Sequence, residues 1–326
     1  MPDTHALLSP SSSDRWLHCP ASARLAETIT SAVGQDETPY AKRGTVLHDL
    51  AAKSLWNKLG QLSADALLDA VEEVSLTPEE SQMVSKYVGI VMQKYGAALA
   101  ECPSAKLYVE SRFDMDAWAP ECFGTGDAVI VTEGLIEVID FKTGAGVYVH
   151  AIGNPQLRLY ALGAYNEYNM LFDIRRVRST IVQPALDNIS SEDLSTQDLL
   201  AWGETVRDPA DKAHKGVLEF CAGAWCKFCP ALPICPVQIS RMTSLTAEPQ
   251  KLAKLKRKTV KTITPEKIAA MLGAMYANVH GAEEYLSKTK KLALRFAEAG
   301  YKIPGYSVGK RGLRRDTADD DFADLI

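Results

Sequence analysis

The stretch from Gly124 to Lys142, GTGDAVIVTEGLIEVIDFK, constrains the fold of this chain more than any other. Residues 127–131 read as a buried strand, Glu133-Gly134 as a tight turn, and residues 135–141 as a second apolar, β-branched strand, so the stretch predicts a hairpin. Side chains alternate across a strand, which sets Asp140 and Lys142 on one face and Ile139 and Phe141 on the other. An acid and an amine then share a patch, opposite a carboxylate, Asp127, at the start of the partner strand. Such acids bind hard divalent cations through oxygen, and a lysine beside them stabilises an attacking water or a phosphoryl oxygen. Asp-Phe-Lys by itself also describes a surface salt bridge at a strand end, so its surroundings decide between the two.

Upstream, Arg43-Gly44-Thr45-Val46-Leu47-His48 opens an amphipathic helix running to residue 59, with Val46, Leu47, Leu50, Ala51, Leu55 and Leu59 at helical spacing and His48 in its first turn. A second helix is expected over 78–100, reading as plain core. Residues 106–113, KLYVESRF, form a strand that pairs with the hairpin and carries Glu110, either an acid supporting the site or an ordinary strand salt bridge. Pro155 suits a first helical position and begins a helix to residue 170, on which Gln156 and Tyr160 share a face. Residues 175–183 alternate as a further strand, and 191–212 read as helical. The sum is a mixed α/β core.

With 326 residues, 46% of them hydrophobic, the chain can bury one substantial core and a smaller appended unit. No run of about 18 apolar residues and no charged-then-apolar start is present, so neither a membrane span nor a signal peptide is expected, and the location is expected to be cytoplasmic. A net charge of -5 does not advertise a nucleic-acid binder, so any such role needs local basic patches. Four of the seven cysteines crowd together, Cys221, Cys226, Cys229 and Cys235, while Cys19, Cys102 and Cys122 are scattered. That spacing favours metal binding over a disulfide framework.

Taken together, these residues resemble the RecB-like branch of the PD-(D/E)xK nuclease superfamily. Gly44 to His48 looks like its G-x-x-x-H helix motif, Gly124-Thr125-Gly126-Asp127 like its G-x-x-D, Asp140-Phe141-Lys142 like its D-x-K, and Gln156 to Tyr160 like its Q-x-x-x-Y helix, in matching order and spacing over about residues 10–240. The layout also resembles, more loosely, phage-encoded proteins of this nuclease type. The resemblance implies a restriction-endonuclease-like α/β core, a central mixed sheet flanked by helices. It implies Mg²⁺ or Mn²⁺ held by His48, Asp127, Asp140 and the backbone carbonyl of Phe141. Lys142 would orient or activate water, and Gln156 and Tyr160 would position DNA or Lys142.

Cys226, Cys229 and Cys235 give C-x2-C-x5-C, a spacing that by itself most often holds zinc. Iron–sulfur nucleases of the AddB and CRISPR-adaptation type resemble this chain in having one cysteine far upstream of the catalytic motifs and three just downstream. That likeness implies a [4Fe–4S] cluster on Cys19, Cys226, Cys229 and Cys235, reinforced by the Cys-Pro pairs at 19, 229 and 235. Cys221 is the rival fourth ligand. A link from residue 19 to 235 closes a far longer loop than one from 221, worth roughly 2 kcal/mol more against the unfolded chain, and would staple the whole nuclease domain.

The expected organisation is a nuclease domain over 1–240 including the cysteines, a basic linker over 241–262, and a small helical region over 263–326. Lys251, Lys254, Lys256, Arg257, Lys258 and Lys261 form a basic run, and Lys310, Arg311, Arg314 and Arg315 a second candidate phosphate patch. The function so implied is a metal-dependent deoxyribonuclease acting on linear DNA ends, in phage recombination or DNA-end processing, alongside a single-strand annealing or recombination protein in a bacterial host cytoplasm. The alternatives are a DNA-binding or assembly protein on a nuclease fold, which the intact His48, Asp127, Asp140 and Lys142 disfavour, and a nicking or restriction-type endonuclease, for which no specificity element is recognisable.

Overall fold

A five-stranded mixed sheet with helices on both faces carries the region singled out by the sequence. In the computed structural model, which describes residues 6–34, 38–241, 265–304, 306–309 and 312–315, the strands run in the order β1 (Lys106–Asp114), β2 (Phe123–Thr132), β3 (Leu135–Phe141), β4 (Arg176–Gln183) and β5 (Asn188–Ser195). The predicted hairpin is β2–β3, turning at Gly134 with φ +85°, a conformation that glycine adopts without steric cost. β3 and β4 pair in parallel, which requires a crossover, and helix α6 (Pro155–Tyr168) provides it. The other pairs are antiparallel.

β2 and β3 read as almost unbroken apolar runs because both faces of the sheet are covered. Val129, Val131, Ile136 and Val138 bury with Leu157 and Leu162 of α6, with Leu199 and Val206 of α7 (Thr196–His214), and with Trp16 of α1 (Ser13–His18). Ala128, Ile130, Ile139 and Phe141 bury on the other face against Leu47 and Leu55 of α3 (Pro39–Lys58) and Tyr87 and Val91 of α5 (Pro78–Glu101). The Phe141 ring stacks on Tyr87 at 4.5 Å between centroids. Truncating a fully buried aromatic to alanine costs ~3–5 kcal/mol, so Phe141→Ala would test the layer directly.

Several boundaries differ from the sequence expectation for physical reasons. α3 starts at Pro39, with the Thr38 hydroxyl accepting the Ala41 N–H, so His48 sits mid-helix rather than in the first turn. Residues 188–195 form strand β5 rather than the start of a helix. Their outward polar side chains mask the pattern, and the helix begins only where Ser195 caps it by accepting the Asp198 N–H. A short helix, α4 (Ala64–Val74), lies in a segment that the periodicity does not single out.

The chain divides into two compact units, Met1–Ala23 with Asp36–Leu218, and Arg24–Gln35 with Glu219–Ile326. This departs from the expected boundary near 240, since it separates Cys19 from Cys226, Cys229 and Cys235. The second unit holds residues 24–33 of α2 (Ala21–Val33), the cysteine segment, the 34-residue helix α8 (Pro265–Glu298), and a two-stranded sheet of β6 (Tyr306–Gly309) and β7 (Gly312–Arg315) in a region expected to be helical. Its apolar cluster is Ile29, Ala231 and Leu292, with Leu25, Val33, Cys229 and Phe296 packed around it. The basic run over 251–261 and the positions 310 and 311 lie outside the described residues, as do the side chains of 314 and 315. No helix of the described residues is long and apolar enough to cross a membrane.

Candidate metal centre

Two glycines of the sequence motifs let elements approach closely enough to build the site. A side chain at Gly44 would meet the Thr143 hydroxyl at 3.2 Å, and one at Gly124 would meet the Tyr160 ring at 3.0 Å and Pro10 at 3.1 Å. α3 can therefore lie against the end of β3, and Tyr160 of α6 can lie against the start of β2. One turn beyond Gly44, His48 Nδ1 lies 3.0 Å from Asp127 Oδ1. The other oxygen of Asp127 accepts the Phe141 backbone N–H at 2.7 Å, which fixes the carboxylate across the hairpin.

Glu110 joins this pair. Nitrogen and oxygen atoms of His48, Glu110 and Asp127 all lie within 4.8 Å of one another, the one such grouping of three or more His, Cys, Asp or Glu among the described residues. Sequence reading left Glu110 open between a supporting acid and a strand salt bridge, because simple alternation cannot anticipate its backbone. Glu110 has φ +49°, and β1 changes phase there: Leu107 and Val109 pack with the α3–α5 layer, whereas Phe113, also at an odd position, packs with the α6–α7 layer. A left-handed non-glycine residue inside a strand is costly, and such strain concentrates at functional sites. The available signal was an acid inside an otherwise core-forming strand.

Asp140 and Lys142 share a face, as the alternation requires. Lys142 Nζ donates to Asp140 Oδ1 at 3.3 Å and to Gln156 Oε1 at 2.9 Å, and Tyr160 follows one turn further along α6. Gln156 thus orients the lysine from α6. Asp140 Oδ2 lies 3.0 Å from the same ammonium but outside hydrogen-bonding geometry, and it is a buried oxygen with no hydrogen-bond partner among the described residues. Buried carboxylate oxygens are normally satisfied, so this one marks a place for a cation or a donor. Phe141 contributes its N–H to Asp127, and its ring stands 5.2 Å from that of His48.

The electrostatics are those of too much negative charge in too little water. Burial, then repulsion from Asp127, pushes the Glu110 carboxyl up to about 7. Burial also raises Asp140, against the pull of Lys142. Burial disfavours charge on His48, but Asp127, Asp140 and Glu110 outweigh it and raise its pKa. Lys142 follows the same balance, with Asp140 overriding burial, so it is held as an ammonium. Tyr160 is raised by burial and by the charge of Asp140, so it remains a neutral phenol. A divalent cation relieves this crowding, and the set of one imidazole with carboxylate oxygens suits Mg²⁺ or, with the nitrogen donor, Mn²⁺.

The second unit presents its cysteines on 3-10 turns over Ala224–Phe228 and Leu232–Ile234, which Cys229 and Cys235 terminate with N–H bonds back to Cys226 and Leu232. The Cys226 sulfur accepts the Gly223 N–H at 3.5 Å. Among the described residues these thiols are not gathered to single-ion spacing. Cys19, the residue that directly follows α1 and caps it, is buried in the first unit, and its carbonyl accepts the Ser22 N–H.

The chain belongs to DUF2800, a family of proteins of unknown function whose pattern matches residues 5–326. Among solved structures it is similar to the crystal structure of SSO0001, with 16% identity, 59% of this chain and 85% of that one covered, and a TM-score of 0.26.

Proposed function

We propose that this DUF2800 protein is a metal-dependent deoxyribonuclease with a PD-(D/E)xK-type core, acting on the ends of linear DNA. The observation that carries the reading is the convergence of His48, Glu110 and Asp127 beside half-buried Lys142 and its partner, buried Asp140, whose second carboxylate oxygen has no hydrogen-bond partner among the described residues. His48, Glu110, Asp127 and Asp140 would hold Mg²⁺ or Mn²⁺. When bound, that ion lowers the pKa of a water and neutralises charge on a phosphoryl oxygen. Asp127 is held for this by the Phe141 N–H, and Lys142 by Gln156. Asp140 raises the Lys142 pKa, and the ammonium so favoured would donate to water or phosphate as a fixed positive charge.

The cysteines fit a separate, structural role. Three half-exposed thiols on tight turns, one within a turn and two ending one, the first already accepting an N–H···S bond of the kind that tunes iron–sulfur centres, support a [4Fe–4S] cluster on Cys226, Cys229 and Cys235 with Cys19 or Cys221 as fourth ligand. A cube of iron and sulfide spaces its thiolates more widely than a single zinc does, consistent with thiols that do not crowd to one point.

The test of the catalytic reading is incubation of the purified protein with Mn²⁺ and end-labelled linear or circular DNA. Release of short products from linear DNA, with circles spared, is expected. Cleaved circles would replace the exonuclease with an endonuclease, and DNA bound but never cut would leave only a binding protein.

A further inference from the structure

An open cleft of about 680 Å³ lies alongside the candidate metal centre in the same unit, bounded by the start of α3, the first turns of α5, the segment after Lys142 and the β4–β5 connection. Its volume is that of a small-molecule site. Its lining includes Gly44 and Leu47, which belong to the helix turn leading to His48, and Thr143, the residue after Lys142. At a rise of 1.5 Å per residue, Gly44 is only ~6 Å along the helix axis from His48. Since a side chain at Gly44 would press on Thr143, the glycine keeps the two walls close without filling the space between them.

The charges of the cleft are already committed. Arg43 forms a two-pronged bond to Glu80, at 2.7 and 2.6 Å, and donates further to the carbonyls of Val74 and Ser75. Lys86 is paired with Asp187. Among the described residues of the lining both cations are thus engaged by acids, and Glu79 adds a further acid. What remains is apolar, from Leu47, Met83, Pro184 and Ala185, with the Gln82 amide also in the lining. At its edge stands Tyr40, 89% exposed, on the same face of α3 as Gly44 and Leu47. An aromatic side chain so exposed above an apolar cleft offers a stacking platform, and nucleobases stack on such platforms whatever their identity.

We infer that this cleft takes an unstacked nucleobase from the nucleotide next to the phosphate being cut, with Tyr40 stacking on it. The inference rests on the nuclease reading and deepens it: the acids would hold the metal that serves the phosphate, the cleft holds a base, and the substrate strand at that point is single-stranded or frayed.

The experiment measures kcat and KM with Mn²⁺ on single-stranded oligonucleotides for wild type, Tyr40→Ala and Tyr40→Phe, using a normal strand and strands with one abasic residue at each of the first few positions from the labelled end. Tyr40→Ala is expected to raise KM ~5- to 150-fold, the range that base stacking of ~1–3 kcal/mol represents, with kcat held and Tyr40→Phe close to wild type. At one position the abasic substrate should raise wild-type KM by a similar factor and remove the difference between wild type and Tyr40→Ala. A rise below fivefold for Tyr40→Ala on the normal strand, or full additivity of Tyr40→Ala with the abasic residue at every position, overturns the cleft while leaving the nuclease reading standing. Wild type that cuts no DNA overturns both.

Discussion

The sheet-bearing unit buries apolar side chains on both faces of five strands, whereas the unit of residues 24–35 and 219–326 gathers a cluster of Ile29, Ala231 and Leu292 with four flanking side chains among its described residues. A unit with two full apolar layers can tolerate an unfavourable polar site at the sheet end: crowded acids, a left-handed Glu110 and an unsatisfied Asp140 oxygen. In the second unit the described cluster packs directly on the cysteine segment, through Ala231 and Cys229, so a cross-link there would act on the same residues that the apolar contacts hold. On the proposed reading, removing a metal would act differently in the two places, on chemistry in the sheet-bearing unit and on the order of the cysteine segment in the other.

The largest expected effect is on chemistry. Asp140→Asn and Asp127→Asn remove charge from the centre while retaining an oxygen to accept from Lys142 or the Phe141 N–H. Each should lower DNA hydrolysis by on the order of 10³-fold, corresponding to ~4 kcal/mol of transition-state stabilisation. Circular dichroism should be unchanged. Wild-type cleavage by well-folded Asp140→Asn would break the assignment of the sheet end as the active site.

Cysteine substitutions should do the reverse. Cys226→Ser, Cys229→Ser and Cys235→Ser should each lose the metal, read as iron, sulfide and visible absorbance of anaerobically purified protein, and expose the 219–241 segment to protease. Colourless protein carrying zinc would replace the cluster with a single ion. Between the two candidates for fourth ligand, Cys19→Ser should lower stability by roughly 2 kcal/mol more than Cys221→Ser if the long loop is the one closed, by the logarithmic dependence of closure entropy on loop length. Urea midpoints and iron content of the two variants measure this, and a reversed order makes the cysteine site wholly local.

His48→Ala should weaken Mn²⁺ binding by at least ~10–100-fold, the loss seen when groups that only orient the ligands of a metal are removed. Calorimetric titration measures the loss, and raised Mn²⁺ should restore part of the activity. Affinity equal to wild type would take the histidine out of the centre.

The smallest effect is a pH dependence. Burial and Asp127 raise the Glu110 carboxyl from 4.5 to about 7, so its contribution to the stability of the metal-free protein is fully present below ~4.5 and is lost as pH rises through 7. Glu110→Gln should flatten that slope. The wild-type midpoint should fall by a few degrees relative to the variant between pH 5 and pH 8 in chelator. Added Mn²⁺ should reverse the trend in wild type, because binding needs the carboxylate and tightens as pH rises. Parallel curves for the two proteins would mean that Glu110 faces water and not the acids.

Much of this architecture is written locally. The β2–β3 hairpin follows from β-branched runs about a Gly turn, the shared face of Asp140 and Lys142 from strand alternation, and the start of α6 from Asn154 and Pro155, all features carried by neighbouring residues. Other features depend on contacts that no local pattern encodes. The polar strand β5 read as helix because its stabilisation comes from pairing with β4 and from Ser190 and Glu192, which hold the 151–153 backbone at 3.0 and 2.9 Å. Glu110 enters the centre only because β1 changes phase at a strained residue, and Asp127 meets His48 across 79 positions of chain. The sequence by itself determined which residues had the chemistry and which short segments carried them. Tertiary structure alone decided which acids share one desolvated space, because local periodicity sets the facing of a side chain, while burial and mutual repulsion exist only once distant segments have packed together.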